Sequence, residues 1–282
     1  MVELKQTPFY AQEMHQCGPA ALATVLNASG LSTTPEALAE QVYIPGREGS
    51  LQTELVAAAR RQGRMAVKLG GTTESLLSTI ADGRPVLLLQ NLALKSLPAW
   101  HYAVLIGWDG PRNELILRSG RQARERLSLA RFLQTWDLAD RWAVVIVQPD
   151  EPPPDAVTLE NWIAAASAFE SLKQAQIAAA AYTRATQRWP DSTLPWLALA
   201  NARYALGDRL AAEQALESAV AIEPAAAALN NLAQLRIERG CRDSALQALD
   251  RIQDLPAGLQ AIVADTRAQA LALKADPAPS CP

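Results

Sequence analysis

A proline-rich stretch, QPDEPPPDAV at residues 148–157, constrains the fold of this chain more than any other feature. Its four prolines lack backbone N–H donors and disfavour helix and strand alike, and three acidic residues lie among them. A chain of 282 residues is long enough for two domains, each with its own core. We therefore predict a domain at residues 1–148, a linker at 149–156, a second domain at 157–276 and a disordered tail at 277–282.

The residue patterns on the two sides of this linker differ. Upstream, helical segments come first and short β-type runs follow, which predicts an α+β domain with antiparallel strands. Downstream, alanine and leucine recur at helical spacing and glycine becomes rare, which predicts an all-α domain. The upstream helices are expected near 18–29, 34–42, 50–62, 74–82 and 128–136, and the strands near 64–69, 85–90, 101–108, 114–119, 123–127 and 142–148.

The composition argues against several classes of function. With 49% apolar residues, 20% charged residues and a net charge of −3, the chain has no basic excess for nucleic acid. Cys17, Cys241 and Cys281 are too few and too scattered for a disulfide framework or a zinc site, so we expect no metal. Cys281 lies in the predicted disordered tail, so we expect it to be an exposed, free thiol. No apolar run is long enough to span a bilayer. The compartment stays open between a bacterial cytoplasm and a periplasm or cell envelope.

Residues 11–26, AQEMHQCGPAALATVL, place Cys17 directly before an apolar helical run. A cysteine in the first turn of a helix has its thiolate stabilised by unpaired N–H groups and by the helix dipole, and Gly18 and Pro19 suit the turn into the helix. An inert, buried cysteine is the alternative. If Cys17 is a nucleophile with a histidine partner, we expect its pKa to lie below the value of about 8.5 of a free cysteine.

The base for such a nucleophile has to be His15 or His101, because the chain has two histidines. His15 lies two residues before Cys17 on an irregular approach, too close in sequence to face the thiol across a cleft. His101 begins the apolar run HYAVLIGWD, and a strand can bring an imidazole to a helix N-terminus. His101 is the predicted base, and a histidine that merely ends a strand is the alternative.

Two further polar stretches have structural explanations. Ser50 in REGSLQTEL is placed to cap the next helix. Gln90 and Asn91 in LLLQN end a buried strand, where they either bind the backbone of a substrate or cap the strand.

The pattern Q-x-x-x-x-C-G-P-A-A-L at 12–22, followed by H-Y-A-V-L-I-G-W-D, resembles the papain-like cysteine peptidases that process double-glycine leader peptides of bacteriocins. The resemblance spans residues 6–148 and implies a papain-like fold, a Cys17 nucleophile, a His101 base and no cofactor. It also implies that Gln12 helps to form the oxyanion hole. Gln12 lies five residues before Cys17, whereas the family more often has six, so Gln16 is a second candidate.

One position departs from this family. The family places an aspartate on the strand after the histidine to orient the imidazole, and the aligned run ELILRSG has Ser119 there. Asp109 is a poor substitute, because eight residues of strand separate it from His101, and it suits the start of the turn DGPRN. We therefore predict that Ser119 contacts the His101 ring, and that the dyad is weakly oriented or the domain binds peptides without cutting them.

The downstream half shows a period of 34 residues. The recurring positions are Trp162 and Trp196, Pro190 and Pro224, and, at nearly this period, Gly207 and Gly240. This pattern resembles the tetratricopeptide repeat over 157–256, about three repeats, with a closing helix at 257–275. The resemblance implies stacked helix pairs whose concave surface binds peptides or proteins, and the alternative is that the helices only enlarge or dimerise the protein.

The sequence therefore predicts a papain-like α+β cysteine peptidase domain followed by an all-α tetratricopeptide-repeat domain. Its expected function is hydrolysis of a peptide or protein substrate through Cys17 and His101, with the repeats recruiting that substrate or a protein partner. A catalytically inactive, peptide-binding module and an interaction scaffold that acts through the repeats are the alternatives.

Overall fold

The computed structural model of the protein describes residues 1–11, 16–47, 49–274 and 281. The chain divides into two compact units, Met1–Ala166 and Ser167–Pro282. The first combines helices with an antiparallel sheet, and the second is helical throughout its described residues. In the part of the chain that is described, no helix is both long and apolar enough to cross a membrane.

Seven strands form one sheet in the first unit: β1 (Val2–Glu3), β2 (Met65–Lys68), β3 (Val86–Asn91), β4 (Trp100–Asp109), β5 (Glu114–Ser119), β6 (Gln122–Ser128) and β7 (Ala143–Val147). The order is β2-β7-β3-β4-β5-β6, each pair is antiparallel, and β1 pairs with β4 off this path. The β1 pairing requires Gly107, because a Cβ there would lie 2.6 Å from the carbonyl oxygen of Val2. The sequence did not predict β1, since two residues show no alternation.

The helices of the first unit are α1 (Cys17–Ala28), α2 (Pro35–Val42), α3 (Gln52–Arg61), α4 (Thr73–Ala81), α5 (Leu129–Asp137) and α6 (Leu159–Ser167), which ends one residue into the second unit. Leu22 and Leu26 of α1 share an apolar core with Val104 and Ile106 of β4, together with residues of α2 and α3. Because side chains alternate along a strand, Gln90 and His101 lie on the opposite face. There Gln90 donates to the hydroxyl of Thr135 in α5 at 2.6 Å.

The boundary between the two units lies further along the sequence than the proline-rich stretch. The compact units meet between Ala166 and Ser167, so nearly all of α6 belongs to the first unit. The amide of Asn161 in α6 donates to the carbonyl oxygen of Lys68 at 3.0 Å, which ties α6 to the end of β2. The linker at 149–156 and the domain bounds that depend on it stay predictions.

The second unit contains α7 (Ala175–Arg188), α8 (Thr193–Ala205), α9 (Arg209–Ile222), α10 (Ala226–Glu238), α11 (Arg242–Asp250) and α12 (Gln260–Ala272). Helix α8 packs against α9, and α10 packs against α11. Gly207 and Gly240 occupy the two intervening turns with φ of 78° and 80°, a conformation that favours glycine. The all-α prediction is confirmed for these residues, and the assignment to the tetratricopeptide repeat stays a prediction.

The expectation of a free Cys281 is wrong. Cys281 forms a disulfide with Cys241, with the two Cα atoms 5.4 Å apart. Cys241 is buried at the start of α11, so the chain end has to return to this helix, and neither residue's sequence neighbourhood indicates that return. Of the predicted disordered tail at 277–282, residues 277–280 and 282 lie outside the described residues.

Candidate active site

Helix α1 begins at Cys17, as the sequence predicts. Gln16 is the residue before the first turn, its side chain makes no capping hydrogen bond, and the first turn contains no acidic residue. The backbone N–H groups of Cys17 and Gly18 lower the pKa of the Cys17 thiol, because they favour its thiolate form. This half-buried thiol is the free cysteine among the described residues.

Strand β4 brings a third N–H group to the same sulfur. Its pairing with β5 runs from Asp109 to Val104, so the ladder ends before Tyr102. The backbone N–H of Tyr102 then hydrogen-bonds the sulfur of Cys17. The candidate nucleophile thus contacts the residue that directly follows His101.

His101 lies at the start of β4, half-buried, opposite Gln90 of β3. Its Nε2 is 2.9 Å from the hydroxyl oxygen of Ser119, so the structure brings together the two residues that the resemblance paired. When Nε2 carries the proton and donates it to this hydroxyl, Nδ1 keeps its lone pair. In that tautomer Nδ1 is able to accept a proton.

Burial lowers the pKa of His101, and the carboxylate of Glu125 opposes this by raising it. Glu125 lies on β6 opposite Leu117, so it shares the sheet face of Leu117 and Ser119. The sequence analysis missed Glu125, because the register of β5 and β6 shifts between Leu117 and Ser119 and a strand pattern does not reveal such a shift.

The expectation of a lowered Cys17 pKa is wrong. Burial raises the pKa of the thiol, and the N–H groups of Tyr102, Gly18 and Cys17 itself oppose it only in part. Desolvation of the thiolate outweighs these three N–H groups, because Cys17 packs against the apolar core of the first unit. Near neutral pH, Cys17 is therefore a neutral thiol and His101 a neutral imidazole.

This pairing predicts how fast Cys17 is alkylated at each pH. The thiolate is the reactive form, so a raised pKa moves its appearance to higher pH, and the rate should rise to an inflection above about 8.5. Iodoacetamide without added reductant measures this rate, because Cys241 and Cys281 are in a disulfide. Cys17→Ala is the control, and an inflection below about 8.5 would contradict the expected direction.

Ser50 packs behind the first turn of α1. Its predicted capping role is wrong, because Leu51 precedes α3 and the Ser50 hydroxyl is buried without a partner in the described structure. A Cβ built on Gly18 would lie 2.5 Å from that hydroxyl oxygen and 2.7 Å from the Ser50 Cβ. The Tyr102 hydroxyl donates to the carbonyl oxygen of Ser50 at 3.2 Å, and this hydrogen bond holds Ser50 against the first turn of α1.

We expect Gly18→Ala to destabilise the protein by about 1–3 kcal/mol, because the added methyl group collides with Ser50. Ser50→Gly removes both colliding atoms and should restore most of the loss in the double variant. Gly70→Ala is the matched control, since a Cβ at Gly70 meets nothing within 4 Å. Urea denaturation measures these differences, and a Gly18→Ala variant as stable as the wild type would contradict the packing.

The other candidate residues divide clearly. Gln12 and His15 lie outside the described residues. Asp109 accepts hydrogen bonds from Arg112 at 3.0 Å and Arg126 at 2.9 Å, so it closes the turn between β4 and β5, as predicted. The described residues contain no group of three or more His, Cys, Asp or Glu side chains that could hold a metal ion.

Asn91 organises the loop between β3 and β4. Its side-chain oxygen accepts from the N–H groups of Ala93 at 3.1 Å and Ala99 at 2.9 Å, and its amide donates to the carbonyl oxygen of Leu94 at 3.3 Å. Gln90 bonds Thr135, as described above. Of the two explanations for LLLQN, strand and loop capping fits both contacts.

The arrangement of Cys17, His101 and Ser119 lies within a stretch that known proteins share. Residues 4–143 match the Peptidase_C39 like family. This C39-like region includes strands β2 to β6 and helices α1 to α5. No curated protein sequence matches the chain.

Three solved structures are similar to about half of the chain. A C39-like peptidase from Bacillus anthracis is 19% identical, with a TM-score of 0.44 over 52% of this chain and 97% of its own. The peptidase domain of Streptococcus ComA, a bifunctional ABC transporter in a quorum-sensing pathway, is 21% identical. Its TM-score is 0.40 over 51% of this chain and 99% of its own. A double-glycine-motif protease from an AMS/PCAT transporter, in complex with the leader peptide, is 18% identical. Its TM-score is 0.38 over 50% of this chain and 91% of its own.

Proposed function

We propose that the chain is a cysteine peptidase that hydrolyses peptide bonds through Cys17 and His101. One observation carries the proposal: the N–H of Tyr102, the residue after His101, contacts the Cys17 sulfur at the N-terminus of α1, while the Ser119 hydroxyl lies 2.9 Å from Nε2 of the His101 imidazole. A thiol, a base and a group that orients the base are the parts that nucleophilic catalysis requires. The match to the C39-like family supports the peptidase class.

In this proposal Nδ1 of His101 takes the proton of Cys17 as the sulfur attacks the carbonyl carbon of the substrate. Because the thiol is neutral at rest, proton transfer accompanies the formation of the C–S bond. The N–H of Cys17, with Gln12 or Gln16, donates to the oxyanion. His101 then gives the proton to the leaving amine, and a water molecule that it activates releases the acid from the thioester.

Ser119 supports this base without a charge. Its hydroxyl accepts the Nε2 proton but does not stabilise the imidazolium as a carboxylate would. We expect Ser119→Ala to lower kcat/KM several-fold and Ser119→Asp to preserve or raise it. The pH profile of kcat/KM separates a charge effect from a loss of folding, and Ser192→Ala is the control, since that side chain makes no capping bond. A tenfold loss in Ser119→Asp would contradict the proposed role.

We further propose that the second unit recruits the substrate or a protein partner as a tetratricopeptide-like array. A cavity of about 210 Å³ between α8, α9 and α10 supports this, because its walls include the polar side chains of Asn201, Asn231 and Gln234. Asn231→Ala should then lower kcat/KM for an unfolded protein and leave a short peptide unaffected. An equal effect on both substrates would remove the recruiting role.

A catalytically inactive, peptide-binding domain is the second candidate function. An interaction scaffold that acts through the helical unit is a further alternative, and both predict that the chain hydrolyses no peptide. Ser119 in place of an acid and the raised Cys17 pKa favour it. A peptidyl acyloxymethyl ketone distinguishes these functions, because it alkylates a thiol that an enzyme site activates. A peptidase is labelled at Cys17 in the folded state only and cleaves peptides. Equal labelling of folded and urea-unfolded protein, with no cleavage of a diverse peptide mixture, would overturn the proposed activity.

A further inference from the structure

The segment 92–100, called here the apolar loop, joins β3 to β4 and displays large apolar side chains. The exposed fractions are 48% for Leu92, 69% for Leu94, 76% for Leu97 and 54% for Trp100. Single exposed leucines are ordinary, but a contiguous apolar patch usually marks a binding surface. Lys95 is the one charged residue in the segment.

The apolar loop has a defined conformation. Asn91, which is 1% exposed, bonds three backbone groups of the loop, and the N–H of Leu92 donates to the carbonyl oxygen of Ala99 at 2.9 Å. Leu94 and Leu97 form an isolated β-bridge at its tip. A buried asparagine thus fixes a turn whose apolar side chains point to solvent, so their exposure is a property of the fold.

The loop adjoins the reacting thiol. Trp100 and Tyr102 lie on the same face of β4, two residues or about 6.6 Å apart along the strand. Tyr102 packs into the core that α1 covers, and its N–H contacts the sulfur of Cys17. Trp100 therefore lies two residues along β4 from a side chain of the core against which Cys17 packs, and the leucines precede it in the loop.

We propose that the apolar loop is a substrate subsite, in which Trp100 and the leucines bind a large apolar side chain of an extended polypeptide close to the scissile bond. The inference rests on the proposed peptidase function and names the substrate class. Its occupant is the substrate because the loop enters β4 two residues before Tyr102, which belongs to the core against which Cys17 packs, and the chain to be cut has to lie at that thiol. With Lys95 as the only charge, the loop favours uncharged or acidic segments over basic ones.

The first test maps the residues that flank cleaved bonds. The full chain is incubated with a peptide mixture from denatured proteins, and cleaved bonds are identified by mass spectrometry. We expect leucine, methionine or phenylalanine at one fixed position near the cleaved bond. Trp100→Ala should lower kcat/KM for those peptides about 10- to 100-fold and leave serine-containing peptides unaffected. Leu194→Ser, an exposed leucine of α8, is the matched control. An unchanged cleavage pattern in Trp100→Ala would overturn the subsite.

The second test separates this inference from the activity. In Cys17→Ala, which cannot turn over, a fluorescein-labelled Gly-Ser decapeptide with a central Leu-Ala-Leu should bind at least about tenfold more tightly than the same peptide with serines for leucines. Leu94→Ser with Leu97→Ser should abolish that preference. Preference without hydrolysis in the wild type would keep the subsite and reject the peptidase, whereas hydrolysis without preference would reject the subsite alone.

Discussion

Replacing Cys17 by alanine is expected to lower kcat by about four orders of magnitude or more, because no other thiol can form the acyl-enzyme. Cys241 and Cys281 are joined in a disulfide in the other unit. The change removes one sulfur from the first turn of α1 and leaves its apolar face intact, so the fold should be retained. Hydrolysis of a quenched peptide measures the loss, with circular dichroism as the folding control. Residual activity above about one per cent would assign the nucleophile elsewhere.

Replacing His101 by alanine is expected to lower kcat/KM about 10²- to 10⁴-fold, the usual contribution of a general base. In the wild type, burial lowers the pKa of His101, so the base stays neutral to lower pH and the acid limb of kcat/KM should lie below about 6.5. Glu125 raises that pKa, so Glu125→Gln should move the limb further down in pH.

The second histidine of the chain supplies the control. His15→Ala should leave both the rate and the acid limb unchanged, because the proposed base is on β4. An acid limb that follows His15 instead of His101 would contradict the assignment. A Glu125→Gln variant whose acid limb of kcat/KM moves to higher pH would also contradict it.

Most of the first unit could be predicted from its sequence, because its elements carry strong local patterns. Each of the predicted helices and strands has an observed counterpart with ends within about two residues. The place of Cys17 follows from GPAAL, an apolar helical run that begins after a turn. The contact of Ser119 with His101 follows from the resemblance, which aligns Ser119 with the aspartate of the family. The register of β4 and β5 does not give it, because that register shifts between Leu105 and Gly107 and ends at Val104.

Other properties of the site depend on atoms that the sequence does not bring together. The sign of the Cys17 pKa shift depends on how deeply the thiol is buried against the apolar core. Ser50 lies behind Gly18 because Tyr102 holds its carbonyl group, a contact across many residues. The carboxylate of Glu125 raises the pKa of His101, and its position depends on the register shift between β5 and β6. Tertiary contacts, not local patterns, set these three properties.

The disulfide between Cys241 and Cys281 has a consequence for the thiol chemistry. The bridge closes a loop that contains α11 and α12, and removing a bridge over such a separation costs a protein about 2–5 kcal/mol. A disulfide of this kind persists where cellular reductants do not keep thiols reduced, while a peptidase thiol works only in its reduced form. Dithiothreitol, added to protect Cys17, would also open this bridge and lower the stability of the unit that contains α11 and α12. The same reagent would therefore preserve one end of the protein and loosen the other.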